Sequence, residues 1–147
     1  MSKLPIAYVD IRFCAYATED IDKVMDAVHN ILPSNKREKL TFNKSHVEGH
    51  YGNPIILFET RIKDKETVRA LVENLSAMFS SLDKEELDRT INRCFEKGSI
   101  YIRLDKQAAF QSKIKFATSD PIRIRIRFKI SKLEDIIEIC REIGLIK

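Results

Sequence analysis

The segment Pro121–Ile130, PIRIRIRFKI, alternates without a break: Ile122, Ile124, Ile126, Phe128 and Ile130 fall on one parity, Arg123, Arg125, Arg127 and Lys129 on the other. Successive side chains leave a strand on opposite faces, so a strict period of two fits only a strand with one face in a core and the other at a surface. The cations then stand in one line. Side chains of one parity repeat every ~6.6 to 6.8 Å, and their repulsion must be tolerated in water or relieved by an anionic partner. The row is therefore either a solvated sheet face or a surface for a polyanion.

The rest of the chain supplies the other layer. IAYVDIRFCAYA reads as a first strand, with Val9, Ile11, Phe13 and Ala15 on one side and Tyr8, Asp10, Arg12, Cys14 and Tyr16 on the other. Thr18 is placed to cap a helix whose stripe is Ile21, Val24, Met25, Val28, Ile31 and Leu32, and Pro33 ends it. A polar stretch leads into IILFETRI, which predicts a hairpin. Asp64 starts a second helix through Val68, Leu71, Val72, Leu75, Met78 and Phe79. Asp83 with Glu86 suggests a capping box for a third helix, which stops at Gly98. SIYIRL is a further strand, DKQ a turn, and KIKFAT is expected to pair with the alternating segment. Ser131 and Glu134 suggest a box for the closing helix through Ile136, Ile137, Cys140 and Ile143. This order, β-α-β-β-α-α-β-β-β-α, predicts an α+β fold: two layers, a mainly antiparallel sheet with helices packed on one face.

At 147 residues the chain suits one domain, residues 1–147, with a core that needs no staples. Cys14, Cys94 and Cys140 are odd in number, widely separated and set in apolar patterns, which argues against a disulfide framework or a metal site. They read as reduced core thiols of a cytoplasmic protein. No signal-peptide pattern opens the chain, and no stretch approaches the ~20 apolar residues of a spanning helix, so no membrane role is expected. The net charge is +4, but residues 98–131 alone carry eight basic and two acidic residues. Charge concentrated on one element, more than net charge, attracts a polyanion.

With helices over the apolar parity, the other sheet face carries Tyr8, Arg12, Tyr16, Tyr101 and Arg103 beside the Arg123 row. Unpaired bases stack on aromatic rings and guanidinium planes while cations take phosphates, so this composition suits RNA. In HVEGHYGNP, His46, Glu48 and His50 invite a metal or hydrolase reading, but a zinc helix needs two His one turn apart, and Gly49 and the missing third ligand oppose it. A tight turn at Gly49 and Gly52 that presents His50, Tyr51 and Asn53 at a loop tip fits better. RLDKQAAF sets Arg103, Asp105, Lys106 and Gln107 at a strand end, where RNA contact competes with plain salt bridging and turn formation. No nucleophile, phosphate loop or matched acid–base pair accompanies them.

At EGHYGNPI and YIRLDKQAAF the sequence resembles an archaeal family of predicted RNA-binding proteins proposed to associate with the exosome, whose fold is similar to that of the ribosomal protein that holds 5S rRNA. The resemblance spans most of the chain, from FCAYATED through the last helix. It implies a two-layer α+β RNA-binding module with no established catalytic activity, and directs attention to Gly49, His50, Gly52, Asn53, Arg103, Asp105, Lys106 and Gln107; no cofactor is expected. Gln111 and Ser112 stand where a glycine is expected soon after the AAF aromatic. The resulting expectation is a non-catalytic RNA-binding protein that serves RNA processing, the exosome or a ribonucleoprotein. Its partner is single-stranded or looped RNA. The alternatives are a protein adaptor or homodimer sharing the sheet face and, behind these, a metal-dependent enzyme acting on nucleic acid through His46, Glu48 and His50.

Overall fold

The computed structural model describes residues 4–34 and 40–147. Strand β1 (Ile6–Tyr16) leads to helix α1 (Ile21–Asn30), the hairpin β2 (Asn43–Glu48) and β3 (Pro54–Ile62), and helices α2 (Lys65–Met78) and α3 (Ser81–Cys94). The short β4 (Phe95–Glu96), β5 (Ser99–Leu104), the short α4 (Lys106–Phe110), β6 (Ile122–Phe128) and α5 (Leu133–Glu142) complete the chain. The strands form one sheet in the order β2-β3-β1-β6-β5-β4, every neighbouring pair antiparallel. The alternating segment is thus an interior strand, paired on both edges. That position accounts for its unbroken apolar parity: Ile122, Ile124, Ile126 and Phe128 are at most 1% exposed. With Val9, Ile11, Phe13, Phe58, Ile100 and Ile102 they floor a core roofed by Val28 of α1, Leu71 and Leu75 of α2, Leu87 and Ile91 of α3, and Ile136 and Cys140 of α5. Each large apolar side chain buried there contributes about 1.5–3 kcal/mol, and Ile124→Ala would cost about 2–5 kcal/mol.

The α+β, one-sided architecture is the one expected, but several local assignments differ. KIKFAT is not a strand. Both edges of β6 are taken, by β1 and β5, so residues 113–118 fold over the end of β5 instead, through Asp105 N–H to the Lys115 carbonyl (2.8 Å), Ala117 N–H to the Arg103 carbonyl (3.0 Å) and an isolated Leu104–Phe116 bridge. The expected DKQ turn is the start of α4, capped by the Asp105 carboxylate, which accepts from Ala108 N–H. Helix α1 is capped by Asp20 rather than Thr18. The box of α3 is Ser80 with Asp83: the Asp83 N–H donates to the Ser80 hydroxyl (3.1 Å) and the Ser80 N–H to the Asp83 carboxylate (2.8 Å). Helix α5 has Lys132 at its N-cap position, with no side-chain cap from Ser131 and Glu134. Helix α3 ends at Cys94, and Gly98 instead belongs to the β4–β5 hairpin, where Lys97 and Gly98 both take positive φ (47° and 82°) as a two-residue turn of this kind requires.

Candidate nucleic-acid interface

In an antiparallel pair, directly opposite residues share a face, so the register defines rows across the uncovered side. One row runs Glu59, Arg12, Arg123, Arg103 across β3, β1, β6 and β5. The next runs Arg61, Asp10, Arg125, Tyr101, and a third Tyr8, Arg127, Ser99. The face expected from the alternation therefore exists, with Tyr8, Arg12, Tyr101, Arg103, Arg123, Arg125 and Arg127 brought together on three contiguous strands, β1, β6 and β5.

Their electrostatic states differ sharply. Asp10 accepts two hydrogen bonds from Arg61 (2.8 and 3.0 Å) and stands 3.9 Å from Arg125. Arg125 Nε also donates to the Ser99 hydroxyl at 3.0 Å, and Arg127 donates to the Lys97 carbonyl. These two cations are already engaged. In the first row Glu59 reaches only to 4.0 Å from Arg12. Among the described residues neither Arg103 nor Arg123 has a carboxylate partner, and the buried Nε of Arg123 has no acceptor. Burial first, then the facing Arg12, with Arg103 and Arg125 adding to it, push the Arg123 guanidinium below its ordinary pKa; Tyr101 partly opposes them. Like charges directly opposite destabilise a sheet, and an unmet buried donor costs about 1–3 kcal/mol, so an anion that supplied acceptors here would relieve both costs.

The tyrosines divide in the same way. Tyr101 has the guanidinium carbons of Arg103 and Arg123 each 5.4 Å from its ring centroid and that of Arg125 at 5.7 Å. Tyr8 is covered by Arg61, whose guanidinium carbon lies 4.0 Å from the ring. Tyr16, at the far end of β1, is 37% exposed, with Lys106 Nζ 5.2 Å from its ring. Burial, then Asp120, raise its phenol pKa. Between Tyr16 and the first row lies a cleft of about 340 Å³ bordered by Arg12, Cys14, Tyr16, Arg103, Asp120 and Arg123.

Three expected contacts, Lys129, Lys106 and Gln107, are placed elsewhere. Lys129 lies past the end of β6 and borders a cleft with Leu4, Ile6 and Lys63, so the line of four cations is three arginines. Lys106 is 9% exposed, because its ammonium donates to the Cys14 carbonyl (2.5 Å), Glu19 (3.1 Å) and Asp120 (2.8 Å). It clamps α4 to the end of β1 rather than facing solvent. Gln107 faces the groove between α1 and α4 on the helical side, a junction also tied by Asn30 Nδ2 donating to the Ala109 and Phe110 carbonyls. Asn53 closes the β2–β3 turn, where its carbonyl accepts the Gly49 N–H (2.8 Å). His50 opens the 3₁₀ turn His50–Gly52, and its side chain lies outside what the structure describes. Tyr51, 98% exposed at φ 66°, is the aromatic at this tip, on the same end of the sheet as Tyr16, which pairs with Ile55. His46 and Glu48 are exposed on the edge strand β2. Sequence reasoning missed the partners Arg61, Glu59, Ser99 and Asp120; the alternation of Glu59 and Arg61 within ILFETRI was the available signal for the first two.

Residues 8–130 match the model of a family described as RNA binding. An RNA-binding protein of Pyrococcus abyssi is 33% identical over 145 residues, covering 95% of this chain and 94% of the relative. An uncharacterized protein of Methanocaldococcus jannaschii is 30% identical over 126 residues, 83% of this chain and 84% of its own. In three dimensions a DUF54 protein of Methanothermobacter thermautotrophicus superposes with a TM-score of 0.77 at 26% identity, covering 95% of this chain and 98% of its own. A protein of the same class from Archaeoglobus fulgidus gives 0.77 at 28% identity, with 94% and 99% covered.

Proposed function

We propose, from the premise that this chain belongs to the RNA-binding family, that it is a non-catalytic RNA-binding protein that holds unpaired RNA on the uncovered face of its sheet. The observation that carries this reading is the row Arg12, Arg123, Arg103 beside Tyr101: three guanidinia in line, of which Arg103 and Arg123 have no carboxylate partner among the described residues and stand 5.4 Å from the Tyr101 ring. Arginine presents a planar fork that matches phosphate oxygens, and its plane stacks on bases as the tyrosine ring does. Phosphate contacts on Arg12, Arg103 and Arg123 position the strand, and stacking on Tyr101 favours bases that are not already paired.

The sequence resemblance supports a finer placement: an accessory of RNA processing, at the exosome or in a ribonucleoprotein, on a fold like that of the 5S rRNA-binding ribosomal protein. Photo-crosslinking of purified protein to single-stranded RNA, with the adducts mapped by mass spectrometry, tests the face. Adducts are expected on β5 and β6 around Tyr101. Adducts confined to α2, α3 and α5 would reject it.

A further inference from the structure

The cleft beside the arginine row is bordered by cations on one side and by a carboxylate on the other. On the Tyr101 side the face continues through Arg125 and Arg127. On the other side it meets the Asp120 carboxylate, fixed 2.8 Å from Lys106 Nζ, and the Tyr16 ring. An internal phosphodiester seated against Arg12, Arg103 and Arg123 would have to send its next phosphate toward that carboxylate. A strand that ends in the cleft does not. An internal diester also offers two free oxygens and one charge, whereas a terminal monoester offers three oxygens and a charge of about −1.5 to −2 at neutral pH. Three guanidinia, one with an orphaned buried Nε, match the second.

We propose that this cleft is a seat for the terminal phosphate monoester of an RNA strand, with Arg12, Arg103 and Arg123 as its donors and the Lys106–Asp120 pair as the stop that excludes a continuing chain. The inference rests on the RNA-binding reading and specifies which part of the strand the row takes. Lys106 serves as a positioning residue, since it holds Asp120 in the wall and reaches no phosphate.

The test measures binding of one unstructured oligoribonucleotide prepared in three forms: 5′-phosphate, 3′-phosphate, and hydroxyl at both ends. One phosphorylated form should bind about tenfold or more tightly than the hydroxyl form, as a strong charge-assisted contact requires, and which form does so identifies the end. Arg123→Gln, and the more exposed Arg103→Gln as a second variant safe for the fold, should remove that preference, while Lys129→Gln keeps it. Equal binding of all three forms by the wild type would overturn the terminal seat and leave the RNA-binding reading standing. Failure of all three to bind would overturn both.

Discussion

Arg123 of β6 stands directly opposite Arg12 of β1, and Arg103 of β5 stands directly opposite Arg123 on its other side. Two like-charged cross-strand pairs in one row oppose folding by roughly 0.2–1 kcal/mol each. Arg123→Gln should therefore raise stability by about 0.5–1 kcal/mol in urea unfolding while weakening RNA binding. A loss of stability would mean that the guanidinium is already satisfied in the free protein.

Lys106 gives the opposite case. Its side chain is only 10% exposed and is shared between Glu19 and Asp120, which are themselves 28% and 34% exposed. Lys106→Met should cost about 1–3 kcal/mol, discounted from the value for a fully buried pair because both carboxylates keep some water. Urea midpoints measure this, and the salt dependence of RNA affinity should keep its wild-type slope. A flattened slope would put Lys106 on a phosphate.

The two ring environments predict unequal effects of one substitution. Tyr101→Leu should weaken binding of unpaired RNA by about 1–3 kcal/mol per stacked base, and Tyr8→Leu by less, because Arg61 already covers that ring. Calorimetric titration of both variants decides it. Equal losses with a fully paired duplex would contradict stacking.

How far the sequence carried this account can be followed through the same residues. The alternation of Pro121–Ile130 was legible because period two is a local property, and it foretold both the buried isoleucines and the face of the arginines. The partners of β6 were not, since pairing with β1, more than a hundred residues earlier, is a competition that local pattern does not record; KIKFAT lost it. Lys106 looked like one more cation of a basic segment. Its burial depends on Glu19 and Asp120, 87 and 14 residues away, and only the fold brings them together. Lys129 kept the parity but fell past the last paired residue. Ser80 and Asp83 did carry a local signal, an S-x-x-D pattern, that the choice of Asp83 as the cap obscured.

Cys140 is fully buried, and burial pushes its thiol up to about 12. A folded pKa raised above the unfolded value means that the stabilising contribution is complete below about 8.5, the free-thiol value, and is lost as pH rises toward 12. Stability should fall in that window by up to about 1.4 kcal/mol per pH unit from this group, and Cys140→Ala, although less stable, should show a shallower decline. Parallel declines would assign the alkaline loss to other groups.

The central claim, that the row of Arg12, Arg123 and Arg103 holds phosphates, is tested most directly by salt titration of binding to single-stranded RNA. The triple Gln variant should lose roughly 0.7 from the slope of log K against log salt for each phosphate charge that Arg12, Arg103 and Arg123 neutralise, about 1 to 2 in all, while remaining folded. A folded triple variant with the wild-type slope would contradict the claim and return this face to solvent.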